Sequence, residues 1–128
     1  MEIARHVSPD GQLVWVVEEY PETEGSHGIA MGFADLPWHT HPDAFDRRGR
    51  SDHDIATDVT AAILTDRVLI MTTRYDDVVE HGFLDDLELQ VEIKSLDEQW
   101  SFRFWSGRQV TIEELIDGTV SYLPFGDA

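Results

Sequence analysis

Apolar and polar residues alternate along several short segments of this chain, which is typical of β-strands with one face in a core and the other in water. The strictest alternation covers residues 87–94. Residues 99–105 alternate as well, and their pattern predicts an exposed Trp105 and an Arg103 that offsets acids of the neighbouring strand such as Glu88 or Glu92. The remaining segments with a strand pattern are residues 2–7, 12–20, 27–33 and 68–73.

One segment has the period of about 3.6 residues that is typical of a helix lying against a core. Ser51 and Asp54 have the spacing of a capping box, which predicts a main helix over about residues 52–65. A second capping-box pattern predicts a short helix near residues 112–117, ended by Gly118. The apolar stripe of the main helix consists of Ile55, Val59, Ala62 and Ile63.

Together these elements predict the α+β fold class. The chain has 128 residues, which is close to the usual size of one domain, so residues 1–128 are expected to form a single domain. The strands predict one curved antiparallel or mixed sheet of about six strands. The main helix is expected to pack on one face of that sheet, because its apolar stripe needs a partner surface.

The charge balance limits the classes of partner. The sequence has 26 Asp or Glu and 9 Lys or Arg, for a net charge of -17 with histidine neutral. Such a surface repels nucleic-acid phosphates and anionic lipids, so we expect neither nucleic acid nor membrane as a partner. It attracts a basic protein instead. No secretory signal pattern and no long apolar run is apparent, which favours a cytoplasmic location.

One short segment has the pattern of a metal site. The chain has no cysteine, so His, Asp or Glu must supply any metal ligands. His39 and His41 are two residues apart, and this spacing places both side chains on one face of an extended segment. A catalytic zinc ion needs three protein ligands, and Asp54 is the favoured third. Other candidates for the third ligand are Asp43, His53 and His27.

The motif His39-x-His41-Pro42, followed by Ser51-x-x-Asp54 and a helix, resembles the zinc site of the JAB/MPN (JAMM) metalloproteases. The resemblance covers about residues 32–73. It implies a zinc hydrolase that cleaves peptide or isopeptide bonds, with His39, His41 and Asp54 on the metal and Ser51 as an assisting hydroxyl. Nine residues separate His41 from Ser51, where the family usually has seven. The sequence offers no clear counterpart of the family's catalytic glutamate.

Two hypotheses about function follow. The favoured one is a non-catalytic cytoplasmic interaction protein of the immunity or inhibitor type, without a cofactor, that binds a basic partner. Its basis is the acidic charge and the incomplete catalytic set. The alternative is a divergent JAMM-like zinc hydrolase. The sequence also leaves open whether the basic group Arg47, Arg48 and Arg50, beside the candidate site, binds an anion or neutralises nearby acids.

Overall fold

Four antiparallel strands from the first part of the chain form the first of two sheets. They are β1 (Glu2–Val7), β2 (Val14–Glu19), β3 (Ile29–Phe33) and β4 (His39–Thr40), in the spatial order β1-β2-β3-β4. The structure is a computed structural model that describes residues 1–20, 28–36, 38–84 and 99–124. The strand predicted over residues 87–94 lies outside these ranges.

The second sheet is also antiparallel and has four strands. They are β5 (Ile70–Tyr75), β6 (Val78–Phe83), β7 (Gln99–Arg103) and β8 (Gln109–Val110), in the order β6-β5-β7-β8. The α+β class is therefore confirmed, but the strands form two four-stranded sheets where the sequence predicts one sheet of about six. The strands β4 and β8 have two residues each, which is too short to produce an alternating pattern.

Both predicted helices are confirmed. The main helix, α1 (Asp52–Leu64), begins after Ser51 and has the predicted capping box. The short helix, α2 (Ile112–Asp117), has a second capping box and ends at Gly118 in the left-handed conformation, with φ of 71°. A short 3₁₀ helix, Pro42–Ala44, follows β4. In the described part of the chain no helix is both long and apolar enough to cross a membrane.

The core consists of two clusters that lie on opposite faces of the second sheet. Consecutive residues of β5 alternate between them, since Ile70 belongs to the first cluster and Met71 to the second. The first cluster also contains the buried stripe of α1 and the inner face of the first sheet, and the second contains Leu115 of α2. Trp105 is 5% exposed and belongs to the first cluster. The prediction that Trp105 is exposed was therefore wrong, because Trp105 lies in the turn after β7 and packs into the first cluster.

Arg103 links the second sheet to the turn between β1 and β2. Its side chain is 9% exposed and donates to the carboxylate of Asp10 over 2.6 Å. It also donates to the carbonyl oxygens of Phe104 and Trp105, each over 3.0 Å. Hydrogen bonds from Arg103 and Ser8 hold the pKa of Asp10 well below its usual value. The partner is thus Asp10, 93 residues away in the chain, while the expected partners Glu88 and Glu92 lie outside the described residues.

His81 on β6 makes folding stability depend on pH. Its ring packs edge-on against Phe33, with centroids 5.5 Å apart, and its Nδ1 lies 2.8 Å from Thr72 Oγ1. Burial is the main cause that lowers the pKa of His81, and the nearby positive charge of Arg103 lowers it further. As pH falls below about 6.5, the unfolded chain takes up a proton that the folded chain resists.

We therefore expect the free energy of unfolding to fall between pH 7 and pH 5, and to fall less in His81→Gln than in the natural protein. Urea denaturation at the two pH values measures the difference. The same decrease in both proteins would contradict this assignment.

Candidate functional site

The two histidines of the predicted metal motif lie side by side. His39 is on β4, and His41 comes directly after that strand. Their ring centroids are 5.0 Å apart with the planes at 87°. His41 Nδ1 lies 2.8 Å from the carbonyl oxygen of Ile29 on β3. The predicted proximity of the two rings is therefore confirmed, and a hydrogen bond to β3 fixes one of them.

Gly32 of β3 allows β4 to approach this closely. It pairs with His39, and a Cβ atom at position 32 would lie 2.8 Å from the carbonyl oxygen of Trp38 and 3.3 Å from His39 Cα. The first of these atoms belongs to the backbone and has little freedom to move away. A glycine at this position therefore lets the histidine pair lie close against β3, at the edge of the first sheet.

Ser51 and Asp54 form the capping box at the start of α1. The Asp54 amide donates to Ser51 Oγ over 3.1 Å, and the Ser51 amide donates to Asp54 Oδ2 over 3.3 Å. These two bonds satisfy amide groups that a helix otherwise leaves without a partner. The residues proposed as a metal ligand and as an assisting hydroxyl thus have a structural role at the helix terminus.

Within the described ranges, no three His, Asp or Glu side chains are grouped closely enough to hold a metal ion. His39 and His41 consequently lack a third ligand there, and these residues do not fit a three-ligand zinc site. Of the alternative ligands, Asp43 pairs with Arg47 over 2.9 Å, and His53 Nε2 lies 3.3 Å from Glu19 Oε1. The other alternative, His27, lies outside the described residues.

Because Ser51 caps a helix, we expect Ser51→Ala to lower the free energy of unfolding by about 1 kcal/mol. Ser51→Asn should restore most of that loss, since asparagine is an equally good N-cap residue. Chemical denaturation of the three proteins measures both effects. Equal stability of the natural protein and Ser51→Ala would show that the capping box contributes nothing.

The basic group Arg47, Arg48 and Arg50 forms ion pairs with nearby aspartates. Arg47 Nη1 lies 2.6 Å from Asp52, in addition to its contact with Asp43. Arg48 Nε lies 3.0 Å from Asp46. The third member of the group, Arg50, has its Nη1 atom 2.7 Å from Asp58 Oδ2. Each of the three arginines thus has an aspartate partner, which is one of the two roles that the sequence leaves open.

A groove of about 550 Å³ runs beside the histidines on the outer face of the first sheet. Its floor includes Ala30 and Gly32, which alternate along β3 with the large buried residues of the first cluster. The sequence interpretation missed this groove, although small residues at alternate positions of a strand are a signal for it. Its other lining residues include Arg5, Glu18, Tyr20, Asp35, Trp38, His39 and His41.

The chain was compared with protein-family models, with curated proteins and with solved structures, and none of these comparisons finds a significant match. The resemblance to the JAMM metalloproteases consequently rests on the motif residues alone.

Proposed function

We propose that this chain is a non-catalytic protein-interaction module of the immunity or inhibitor type, which captures a basic partner protein by electrostatic attraction. The observation that carries the proposal is a net charge of -17 combined with arginines whose charges are offset locally. A long-range negative field of this kind accelerates association with a positively charged protein and disfavours anionic partners.

The ion pairs support this proposal. In the described residues, Arg5 pairs with Glu2 over 2.7 Å, and each arginine of the basic group 47–50 pairs with an aspartate. Arg103 is buried against Asp10. These five cations are thus balanced by acids within a few ångströms, and they create no positive surface that would favour nucleic acid. The excess of carboxylates then determines the sign of the field around the molecule.

The distribution of exposed carboxylates agrees with such a field. Asp76 and Asp77 are exposed at the turn between β5 and β6, and Glu80 is exposed on β6. Glu113 and Asp117 are exposed on α2, at the second sheet's other face. Acidic side chains therefore extend over several elements of the described surface, which suits long-range attraction better than a single acidic contact does.

A salt-dependent co-purification tests the proposal. The tagged protein, expressed in its native cells, is immobilised at low ionic strength, and the retained proteins are identified by mass spectrometry. We expect a basic protein that is retained at low salt and released as salt screens the attraction. Retention of an acidic protein, or retention that is the same at low and high salt, would contradict electrostatic capture.

The alternative, a zinc hydrolase that uses His39, His41 and Asp54, stays a prediction with its own test. The protein, purified without a histidine tag, is heated with and without added zinc. We expect no increase in melting temperature. A zinc-dependent increase that is lost in both His39→Ala and Asp54→Ala would overturn the non-catalytic proposal and support the alternative. The shift with zinc is the quantity to compare, because Asp54→Ala also removes the cap of α1.

A further inference from the structure

The outer groove of the first sheet combines a long shape with negative charge. The residues from Gly28 to Leu36, which include all of β3, contribute to its lining. Its volume lies within the range of cavities that hold drug-sized ligands or short peptide segments. The small side chains of Ala30 and Gly32 leave space above the strand, and larger apolar residues such as Trp38 adjoin it. The shape therefore fits an extended chain that lies along β3.

Two carboxylates lie toward different ends of this groove. Glu18 is opposite Ala30 in the sheet, and Asp35 comes two residues after the end of β3. From Ala30 the strand runs three residues further to its end at Phe33, roughly 10 Å, and Asp35 lies in the turn that follows. The Tyr20 hydroxyl donates to the Glu18 carboxylate and orients it. The groove therefore presents two negative groups at a spacing that an extended peptide spans with about four residues.

A cation at this end of the groove also relieves an unfavourable contact within the sheet. Glu2 and Glu18 are directly opposite each other on β1 and β2, and like charges in this arrangement are destabilising. Arg5 offsets part of this repulsion through its hydrogen bond to Glu2 of 2.9 Å. That bond raises the pKa of Arg5, and attraction to Asp35 and Glu18 adds to the effect. Among the residues that line the groove, the two carboxylates Glu18 and Asp35 outnumber the single arginine Arg5, which leaves a local charge of about -1.

We infer that this groove binds an extended basic segment of the partner protein, with one cationic side chain near Glu18 and another near Asp35. This inference rests on the proposed function, because it identifies where the basic partner docks. The apolar stems of the partner's arginine or lysine side chains lie over Ala30 and Gly32. Shape and charge are both needed, and exposed acids elsewhere, such as Asp77 and Glu80, do not line this groove.

A peptide with two arginines separated by Gly-Ser-Gly tests the inference, with a control peptide that has neutral citrulline at both arginine positions. Binding is followed by the backbone amide signals of the isotope-labelled protein at low salt. We expect the arginine peptide to shift the signals of groove residues such as Ala30 and Gly32, and the citrulline peptide to leave them unchanged. Binding of both peptides alike, or signal changes outside the groove only, would overturn the inference.

Matched variants separate the groove from the general acidity of the protein. Glu18→Gln with Asp35→Asn removes two negative charges in the groove, and Asp77→Asn with Glu80→Gln removes two charges elsewhere. Asparagine suits position 35 because it tolerates the positive φ of 64° there. We expect about tenfold weaker peptide binding for the first variant and less than a twofold change for the second. Equal weakening of both would overturn the inference.

The same variants distinguish a failure of the inference from a failure of the proposed function. If salt still releases the captured partner while the groove variant binds it as the natural protein does, electrostatic capture stands and the groove is not its docking site. If capture is insensitive to salt, the proposed function itself fails. A captured partner that is released by salt and is lost in the groove variant alone supports both.

Discussion

Trp15→Ala is expected to lower the free energy of unfolding by about 3 to 5 kcal/mol, which is the largest effect of a single substitution that the structure predicts. The Trp15 side chain is 0% exposed. Its ring centroid lies 5.2 Å from that of Phe33 and 5.5 Å from that of Phe83, and its Nε1 donates to Thr60 Oγ1 over 3.1 Å. One side chain thus joins both sheets and α1, and its removal leaves a cavity between them.

Urea denaturation measures this effect, with Trp15→Phe as the control. The smaller ring keeps part of the packing but loses the hydrogen bond to the buried hydroxyl of Thr60, so we expect a loss of about 1 to 2 kcal/mol. If the free energy of unfolding of Trp15→Ala lay within about 1 kcal/mol of that of the natural protein, Trp15 would lie outside the core. Replacement of a buried tryptophan by alanine costs several times more.

Arg103→Met is expected to lower the free energy of unfolding by about 3 kcal/mol. Methionine retains much of the buried apolar stem, so the loss reports mainly on the guanidinium. Without it, the carbonyl oxygen of Trp105 loses its guanidinium donor, that of Phe104 keeps the Gly107 amide at 3.0 Å, and Asp10 loses its cationic partner. Acceptors that remain buried without a donor are costly, and this cost is the physical reason for the prediction.

Arg108→Met is the matched control for Arg103→Met. Arg108 is exposed, with its guanidinium carbon 5.7 Å from the ring centroid of Phe104, so its replacement should cost less than 1 kcal/mol. Equal losses for the two variants would show that the buried bonds of Arg103 do not stabilise the fold.

The free energy of unfolding at acid pH is a second measurement on Arg103→Met and Arg108→Met. Because the pKa of Asp10 is lowered in the folded protein, its contribution is complete above the unfolded value of about 4 and is lost as pH falls below it. Arg103→Met should reduce this acid-dependent loss of stability, whereas Arg108→Met should leave it as in the natural protein.

The helices were predictable because their determinants are local. The capping box of α1 involves Ser51 and Asp54, three positions apart, and that of α2 involves Thr111 and Glu114 at the same spacing. The apolar stripe of α1 has the helical period and is buried as predicted. Interactions within one helical turn can be recognised in a sequence without knowledge of the fold.

The division into two sheets depends on interactions that sequence patterns do not contain. The hydrogen bond between Arg103 and Asp10 joins residues 93 positions apart, and neither has a pattern that identifies the other. The turn after β7 likewise places Trp105 in the core, although the alternation over residues 99–105 predicts exposure. Pairing over such distances is set by the packing of complete elements.

Only part of the candidate site was predictable, because some of its features depend on local spacing and others on the folded sheet. The two-residue spacing of His39 and His41 determines that their rings lie close together, and this was confirmed. The groove requires the register that places Gly32 beside His39, which only the folded sheet defines. Asp54, the predicted third metal ligand, would need the start of α1 to lie beside the two histidines. Among the described residues no three side chains form such a group.

The rate of association with the captured partner tests the central claim most directly. The rate constant is measured at salt concentrations from about 0.05 M to about 0.5 M, over which the screening length falls from about 14 Å to about 4 Å. If the charge of -17 directs capture, the association rate constant falls at least about tenfold over this range while the dissociation rate changes less. An association rate constant that is the same at both ends of the range would contradict the claim.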